Sequence, residues 1–311
     1  MSMRPMSAGV WGLIVLLSVV WGGSFFLTEI ILTGMGPLTL VTGRVGIAAV
    51  GLWVVIAVRG EALPRFGWIW LALLVMGALN NVIPFSLISW GQTRIDSGVA
   101  SILNATTPLF AVLVAHIFTQ DERLTARRLA GVCCGVAGVA VLIGPNAIMG
   151  LGNWREGALL GQCAGLAGGL SYAFAGVFGR RLRGLSPLVA AAGMLTGSTI
   201  LMVPISMIVE QPQAGPFPGL VPLAAVATIA LVCTAFAYLL YFRILALAGA
   251  TNLLLVTLLI PVSALFLGSV FLGEAITPNA LAGIGMIGLG LLAVDGRVFQ
   301  LFYKPSTSSG G

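Results

Sequence analysis

The segment GVWGLIVLLSVVWGGSFFLTEII, residues 9–31, is almost entirely apolar and holds a single charged residue, Glu29. A helix of about 20 apolar residues crosses the hydrocarbon core of a bilayer. The segment is long enough for this, and it is too long for the hydrophobic part of a cleavable signal peptide. We predict that it forms the first of several membrane-spanning helices and is retained in the mature protein.

Nine further apolar runs follow along the chain. Apolar residue types make up 59% of the 311 residues and charged types 8%, and the mean hydropathy is +1.08. Soluble domains carry about 25% charged residues, so lipid is the better solvent for this surface. The runs are continuous, unlike barrel strands, and lipid offers no partner to a free amide, so we expect an all-α integral membrane protein with ten transmembrane helices. The predicted spans are 9–31, 37–58, 68–91, 97–118, 127–145, 157–180, 187–209, 219–243, 250–272 and 279–298.

Basic residues are concentrated on one side of the predicted membrane. If the N-terminus is cytoplasmic, twelve of the 15 Lys and Arg residues fall in cytoplasmic segments, Arg94 and Arg155 fall outside, and Arg44 lies within a span. This positive-inside pattern predicts cytoplasmic N- and C-termini. It also explains the net charge of +6 without a nucleic-acid partner.

The second half of the chain repeats landmarks of the first. Gly34-Met35-Gly36-Pro37-Leu38 opens the second span, and Gly184-Leu185-Ser186-Pro187-Leu188 opens the seventh. Further pairs keep the same order along the chain: Gly43 and Gly193, Pro108 and Pro261, Gly131 and Gly283, and Gly138 and Gly290. Because each half has an odd number of spans, the two repeats are inverted, as in secondary transporters that work by alternating access. We predict a five-helix repeat over 1–150, an inverted one over 151–300, and a disordered tail over 301–311.

Motifs in both halves resemble a known family. They are Trp21-Gly22-Gly23-Ser24-Phe25, Glu122-Arg123-Leu124-Thr125 and Gly273-Glu274-Ala275-Ile276-Thr277. With the proline pair, this set resembles the drug/metabolite transporter (DMT) superfamily, with the EamA-type domain present twice, and most of all the YddG-type bacterial amino-acid exporters. The resemblance implies a carrier of the bacterial inner membrane, with a central cavity lined mainly by spans 1, 3, 4, 6, 8 and 9. Ala275 stands where the first half has Arg123, so the two turns differ chemically.

Polar and aromatic side chains near the middle of the spans are the candidates for a substrate site, because polar groups at membrane depth are costly and usually functional. Trp21 either stacks on a ligand or only packs, and Tyr238 either lines a cavity or lies at the membrane interface. Asn80 and Asn81 either hydrogen-bond a substrate or join helices. Because they point about 100° apart, at most one of them faces a cavity. The substrate-binding candidates are Trp21, Ser24, Asn80, Asn81, Phe85, Asn104, Ser171, Tyr172 and Tyr238.

Two more pairs of residues have a predicted role. Pro108 and Pro261 each bend a helix and free a carbonyl, so we interpret them as hinges, with a static kink as the alternative. Arg44 is the cation inside a span, and Glu29 is its candidate ion-pair partner. Capture of a substrate carboxylate is the other interpretation of Arg44.

Several function classes lack the residues they need. A single histidine and the absence of paired mid-membrane carboxylates argue against a metal site and against an enzyme. One arginine in the spans is a poor clamp for phosphates. We therefore expect a secondary transporter, without cofactors, for small neutral or zwitterionic metabolites. The resemblance implies amino-acid export, aromatic amino acids included. The alternatives are an exporter of hydrophobic drugs or other metabolites and, further off, a channel or a membrane scaffold. No oligomer is required.

Overall fold

The computed structural model describes residues 6–65, 67–95, 97–119, 125–143, 157–272 and 278–295, and these form ten helical spans. The turns around Glu122 and Glu274 and the tail over 301–311 lie outside the described residues. The spans begin and end within a few residues of the predicted ones. They are α1 (Ala8–Leu32), α2 (Pro37–Arg59), α3 (Trp68–Gly91), α4 (Ser97–Ala105 and Thr107–Phe118), α5 (Ala126–Ile143), α6 (Ala158–Leu182), α7 (Pro187–Val209), α8 (Leu220–Ala248), α9 (Ala250–Leu254 and Val256–Leu272) and α10 (Pro278–Asp295).

The surface of the bundle is suited to lipid. Seven of the helices, α1 to α4 and α6 to α8, are each long and apolar enough to cross a membrane. Large apolar side chains such as Val58, Ile208 and Leu220 point outward from them and are well exposed. A protein with such a surface would aggregate in water, whereas the same surface is well solvated by the hydrocarbon of a bilayer. The predicted all-α membrane fold is confirmed.

The two halves pack with inverted symmetry, α2 against α7 and α5 against α10. A Cβ atom added to Gly131 would lie 2.8 Å from the carbonyl oxygen of Gly290, and one added to Gly138 would lie 2.9 Å from that of Gly283. Gly131 matches Gly283 in the repeat, and Gly138 matches Gly290, so these are one contact seen twice about a two-fold axis. The inverted repeats are confirmed, and glycine is needed here because the two backbones touch.

Two glutamates clamp the α2–α7 pair at its opposite ends. Glu210, just beyond α7, accepts hydrogen bonds from the amides of Leu38 and Thr39 at 2.8 and 2.7 Å, at the start of α2. Glu61, just beyond α2, accepts a hydrogen bond of 2.6 Å from the hydroxyl of Ser186, which caps the start of α7. A carboxylate beside free amides at a helix N-terminus is stabilising. The clamps follow the two-fold symmetry, although neither glutamate stands out in the sequence.

Four helices are irregular, three of them near the middle and α9 near its start. α3 contains a π-helical turn at Ala78–Val82, and α8 contains one at the matching place, Leu231–Phe236. α4 is interrupted at Thr106, and α9 is interrupted at Leu255. π-helical turns break the regular ladder of backbone hydrogen bonds and are frequent at functional sites.

The two prolines differ in their relation to these interruptions. Pro108 lies two residues beyond the break in α4, and the carbonyl that it leaves without an amide donor, that of Asn104, accepts a hydrogen bond of 2.6 Å from Thr107 Oγ1. Pro261 lies inside the continuous segment Val256–Leu272. The hinge role therefore stays a prediction, with local structure that favours Pro108.

Candidate functional site

A cavity lies between the two halves, close to the irregular parts of the helices. Its volume is about 70 Å³, which is room for a few water molecules. Helices α1, α3, α4, α6, α8 and α9 contribute to its wall, and α2 adds one residue, Arg44. A solute with a bulky side chain therefore requires the wall to open.

Seven of the nine predicted substrate-site residues line this cavity. Two others are buried behind it, where they join helices. Asn81 donates a hydrogen bond of 2.7 Å to Ser198 Oγ and accepts one from the Tyr238 hydroxyl. Ser171 donates one of 2.7 Å to the carbonyl of Leu79, in the π-helical turn of α3. The seven that line the cavity are Trp21, Ser24, Asn80, Phe85, Asn104, Tyr172 and Tyr238.

Arg44 places a positive charge in the cavity wall. Its side chain is 6% exposed, its Nε donates a hydrogen bond of 2.8 Å to Thr234 Oγ1, and its guanidinium lies 3.8 Å from the centre of the Phe85 ring. Glu29 is exposed on α1, and within the described residues Arg44 has no carboxylate partner. The suggested Glu29–Arg44 ion pair is not formed in this conformation.

Unsatisfied polar atoms converge on the same cavity. In the described part of the chain, three buried side-chain atoms have no hydrogen-bond partner: Asn80 Oδ1, Gln92 Nε2 and the Tyr241 hydroxyl. All three residues line the cavity. Because an unsatisfied buried polar atom costs about 1–3 kcal/mol, their common location marks a place where a polar ligand or ordered water would be bound.

Aromatic rings form much of the remaining wall. Trp21 and Tyr241 have ring centres 6.3 Å apart, and Tyr241 meets Tyr238 edge-to-face at 5.6 Å. On the other side, Phe85 meets Tyr172 edge-to-face at 6.4 Å. Such rings offer flat apolar surface beside the polar groups.

Some lining residues were not among the predicted ones. Thr28 and Gln92 extend the cavity towards one end of α1 and α3. Helical spacing is the signal that could have found them, since Thr28 lies four residues after Ser24, and Gln92 lies seven after Phe85.

Metal ligands are not grouped in this region. Over the ranges that the structure describes, no set of three or more His, Cys, Asp or Glu residues is placed to hold a metal ion. The four cysteines of the chain are free thiols, of which Cys233 is buried.

The fold has a counterpart among solved structures. One crystal structure superimposes with a TM-score of 0.74 over 93% of this chain and 98% of the other, at 18% sequence identity. At that identity the likeness concerns the fold alone.

Several bacterial proteins are similar in sequence. The uncharacterized transporter YoaV of Bacillus subtilis is 23% identical over 82% of this chain and 86% of its own length. Protein PecM of Dickeya dadantii is 27% identical over 80% of each chain. A probable terminal-alkyne amino-acid exporter of Streptantibioticus cattleyicolor is 33% identical over 137 residues, which are 44% of this chain and 45% of that protein.

A family model matches the chain twice, once on each half. The matches to the EamA-like transporter family cover residues 9–144 and 159–294. Both coincide with five-helix units of the structure, and together they account for most of the chain. The protein therefore belongs to the EamA-like transporter family, as a multi-pass membrane transporter built from two inverted copies of the family's domain.

Proposed function

We propose that the protein is a secondary transporter that exports small zwitterionic metabolites, amino acids in the first place, across the bacterial cytoplasmic membrane. The observation that carries this proposal is the convergence of unsatisfied polar atoms on one cavity between the halves. An amino acid in that cavity would present a carboxylate, an ammonium group and a side chain to a wall that offers a cation, neutral hydrogen-bonding groups and aromatic faces.

The chemistry of the wall favours this substrate class over phosphorylated ones. Asn80 Oδ1 is a free acceptor for an ammonium N–H, and the Tyr241 oxygen is a second. A phosphate group needs several fixed cations, and in the described residues Arg44 is the cation that lines the cavity. The similarity to a probable terminal-alkyne amino-acid exporter supports the same class.

The mechanism that we propose is alternating access between the halves 1–150 and 151–300. Substrate would bind near the two-fold axis, and an exchange of conformation between the repeats would move the opening from one side to the other. Pro108 and Pro261, as proposed hinges, belong to helices of opposite halves that line the cavity. The charge distribution supports cytoplasmic termini, and in that orientation the Thr28–Gln92 end of the cavity would face outward.

The aromatic wall also fits the alternative, an exporter of hydrophobic drugs. An amino-acid substrate would form hydrogen bonds with the polar groups of the cavity wall, whereas a hydrophobic drug would not. A drug with no group to pair with Asn80 or Arg44 would leave them unsatisfied at a cost of about 1–3 kcal/mol each, which argues for the zwitterion.

Counterflow in proteoliposomes tests the proposal. Vesicles loaded with each of the twenty unlabelled amino acids would be tested for saturable uptake of the same labelled amino acid, with protein-free vesicles as control. We expect trans-stimulated uptake for at least one amino acid with a bulky side chain. Stimulation by lipophilic cations alone would support the drug exporter, and graded, non-saturable flux would indicate a channel.

A further inference from the structure

We propose that Arg44 binds the carboxylate of the transported solute, and that the carrier therefore selects substrates by that group. This inference rests on the proposed function, because it assigns one end of the substrate within the same cavity. It makes the carboxylate the required feature and the amino group a secondary one.

Arg44 is buried with few partners that compensate its charge. A guanidinium that is 6% exposed inside a membrane protein is costly unless an anion or enough hydrogen bonds compensate it. Here the ring of Phe85 covers one face of the guanidinium, and Thr234 Oγ1 accepts a hydrogen bond from its Nε–H. Within the described residues, the two terminal nitrogens make no hydrogen bond, and Arg44 faces the cavity. Two parallel N–H groups in one plane match the two oxygens of a carboxylate.

Thr234 holds the guanidinium in place for this role. Its hydroxyl donates a hydrogen bond of 2.8 Å to the carbonyl of Ile229, across the π-helical turn of α8. The hydroxyl hydrogen is thereby committed, and a lone pair of Oγ1 is left to accept from Arg44. Thr234 is a positioning residue, since it acts on the substrate through Arg44.

The positive charge of Arg44 has no counterpart at the symmetry-related position of the second repeat. Gly43 matches Gly193, so the counterpart of Arg44 is Met194. Met194 is fully buried, and its sulfur accepts a hydrogen bond of 3.6 Å from Asn80 Nδ2. This contact uses one N–H of the Asn80 amide, and the amide oxygen Oδ1 has no partner. A symmetric scaffold thus offers a cation at one position and a free acceptor near its symmetry mate, which gives a zwitterion a single preferred orientation.

Binding of four matched ligands to the purified wild-type carrier tests the assignment. They are L-phenylalanine, 3-phenylpropionate, phenethylamine and L-phenylalaninamide, which share the aromatic group and differ in the carboxylate and the amine. We expect phenylalanine and 3-phenylpropionate to bind, and both the amine and the amide to bind roughly 10- to 150-fold more weakly than phenylalanine, as for loss of a charge-assisted hydrogen-bond pair.

Variants of Arg44 and of a second arginine test whether the carboxylate preference comes from Arg44 itself. Arg44→Met copies the symmetry mate, and Arg44→Lys keeps the charge but loses the planar fork. Both should bind phenylalanine and 3-phenylpropionate roughly 10-fold or more weakly. Arg44→Met, which removes the charge, should no longer distinguish phenylalanine from its amide. Arg94→Met removes an exposed cation that stacks on Trp90, and it should leave all four affinities unchanged. The wild-type comparison stands even if a variant of Arg44 fails to fold.

The outcomes also distinguish the two proposals. An amide that binds as well as the acid, in a protein that exchanges phenylalanine across the membrane, would overturn the role of Arg44 and leave the proposed function intact. Binding of 3-phenylpropionate without binding or exchange of any amino acid would overturn amino-acid export and keep Arg44 as a carboxylate site. If none of the four ligands binds, the assignment of Arg44 is wrong.

Discussion

The indole Nε1 of Trp21 in the first half donates a hydrogen bond of 3.1 Å to the carbonyl of Cys233 in the second half. That carbonyl lies in the π-helical turn of α8. The indole N–H of Trp21 is therefore used in a contact between helices, and the ring of Trp21 lines the cavity. Ser171 makes the corresponding contact with Leu79 in the π-helical turn of α3, so each repeat supports the irregular turn of the other.

We predict that Trp21→Ala and Tyr172→Ala weaken substrate binding while the protein still folds and inserts. Each change removes an aromatic face from the cavity wall and should cost about 1–3 kcal/mol, or roughly 5- to 150-fold in affinity. Half-saturation in counterflow measures this. Trp68→Ala is the matched control, because Trp68 is 65% exposed at the start of α3. Equal, wild-type affinity in all three variants would place the site elsewhere.

The contact between α5 and α10 should tolerate no side chain at its glycines. We predict that Gly290→Ala lowers the free energy of unfolding by about 1–3 kcal/mol, because the new Cβ would meet the backbone of Gly131 and Gly135. Gly288→Ala lies on the same helix, and a Cβ there meets nothing within 4 Å. Thermal unfolding in detergent compares the two. If both variants unfold at the same temperature as the wild type, the backbones of α5 and α10 are not in contact.

Transport of a net-neutral solute should need no imposed proton gradient. Proton-driven carriers usually hold a titratable carboxyl at membrane depth. Among the described residues no Asp or Glu is buried, and Glu29, the acidic residue within α1, is exposed. We therefore expect exchange in proteoliposomes at equal pH on both sides. Strict dependence on a gradient, abolished by Glu29→Gln, would contradict this prediction.

The proposed orientation predicts which segments reach the outside. Gln213 lies in an exposed turn between α7 and α8, and the positive-inside pattern predicts that this turn is outside and Gln300 inside. Single cysteines at these positions in a background without Cys133, Cys134, Cys163 and Cys233 can be treated with an impermeant thiol reagent on intact cells. Labelling at Gln213 alone is expected. Labelling at Gln300 but not at Gln213 would mean that the topology is reversed.

The fold could be predicted because the length of apolar runs and the repetition between the halves can both be read along the sequence. The span limits follow from runs without charge, and the pairing of Gly131 with Gly283 and of Gly138 with Gly290 can be found by aligning the halves. The direction in which a side chain points could not be predicted, since one residue turns it by about 100°. Asn80 and Asn81 illustrate this, because Asn80 reaches the cavity whereas Asn81 is bound to Ser198.

The clamps and the π-helical turns had no signature that sequence alone reveals. Glu61 and Glu210 act on residues of the opposite half, so their role depends on packing between helices that are far apart in the chain. The interruption of α9 falls at Leu255, where no proline or glycine marks it. The relation between Arg44 and Thr234 is likewise a contact between halves, and it replaces the expected pairing with Glu29.

Alternating access is tested most directly by the accessibility of Ser24, which lines the cavity and is 9% exposed. A single cysteine at this position, in the cysteine-free background, would be treated with an impermeant thiol reagent from outside in intact cells and from the cytoplasmic side in inverted vesicles. We expect labelling from both sides, slowed on both by the transported amino acid, because one site opens alternately to each side. Labelling from one side only, at a rate that no amino acid changes, would contradict it.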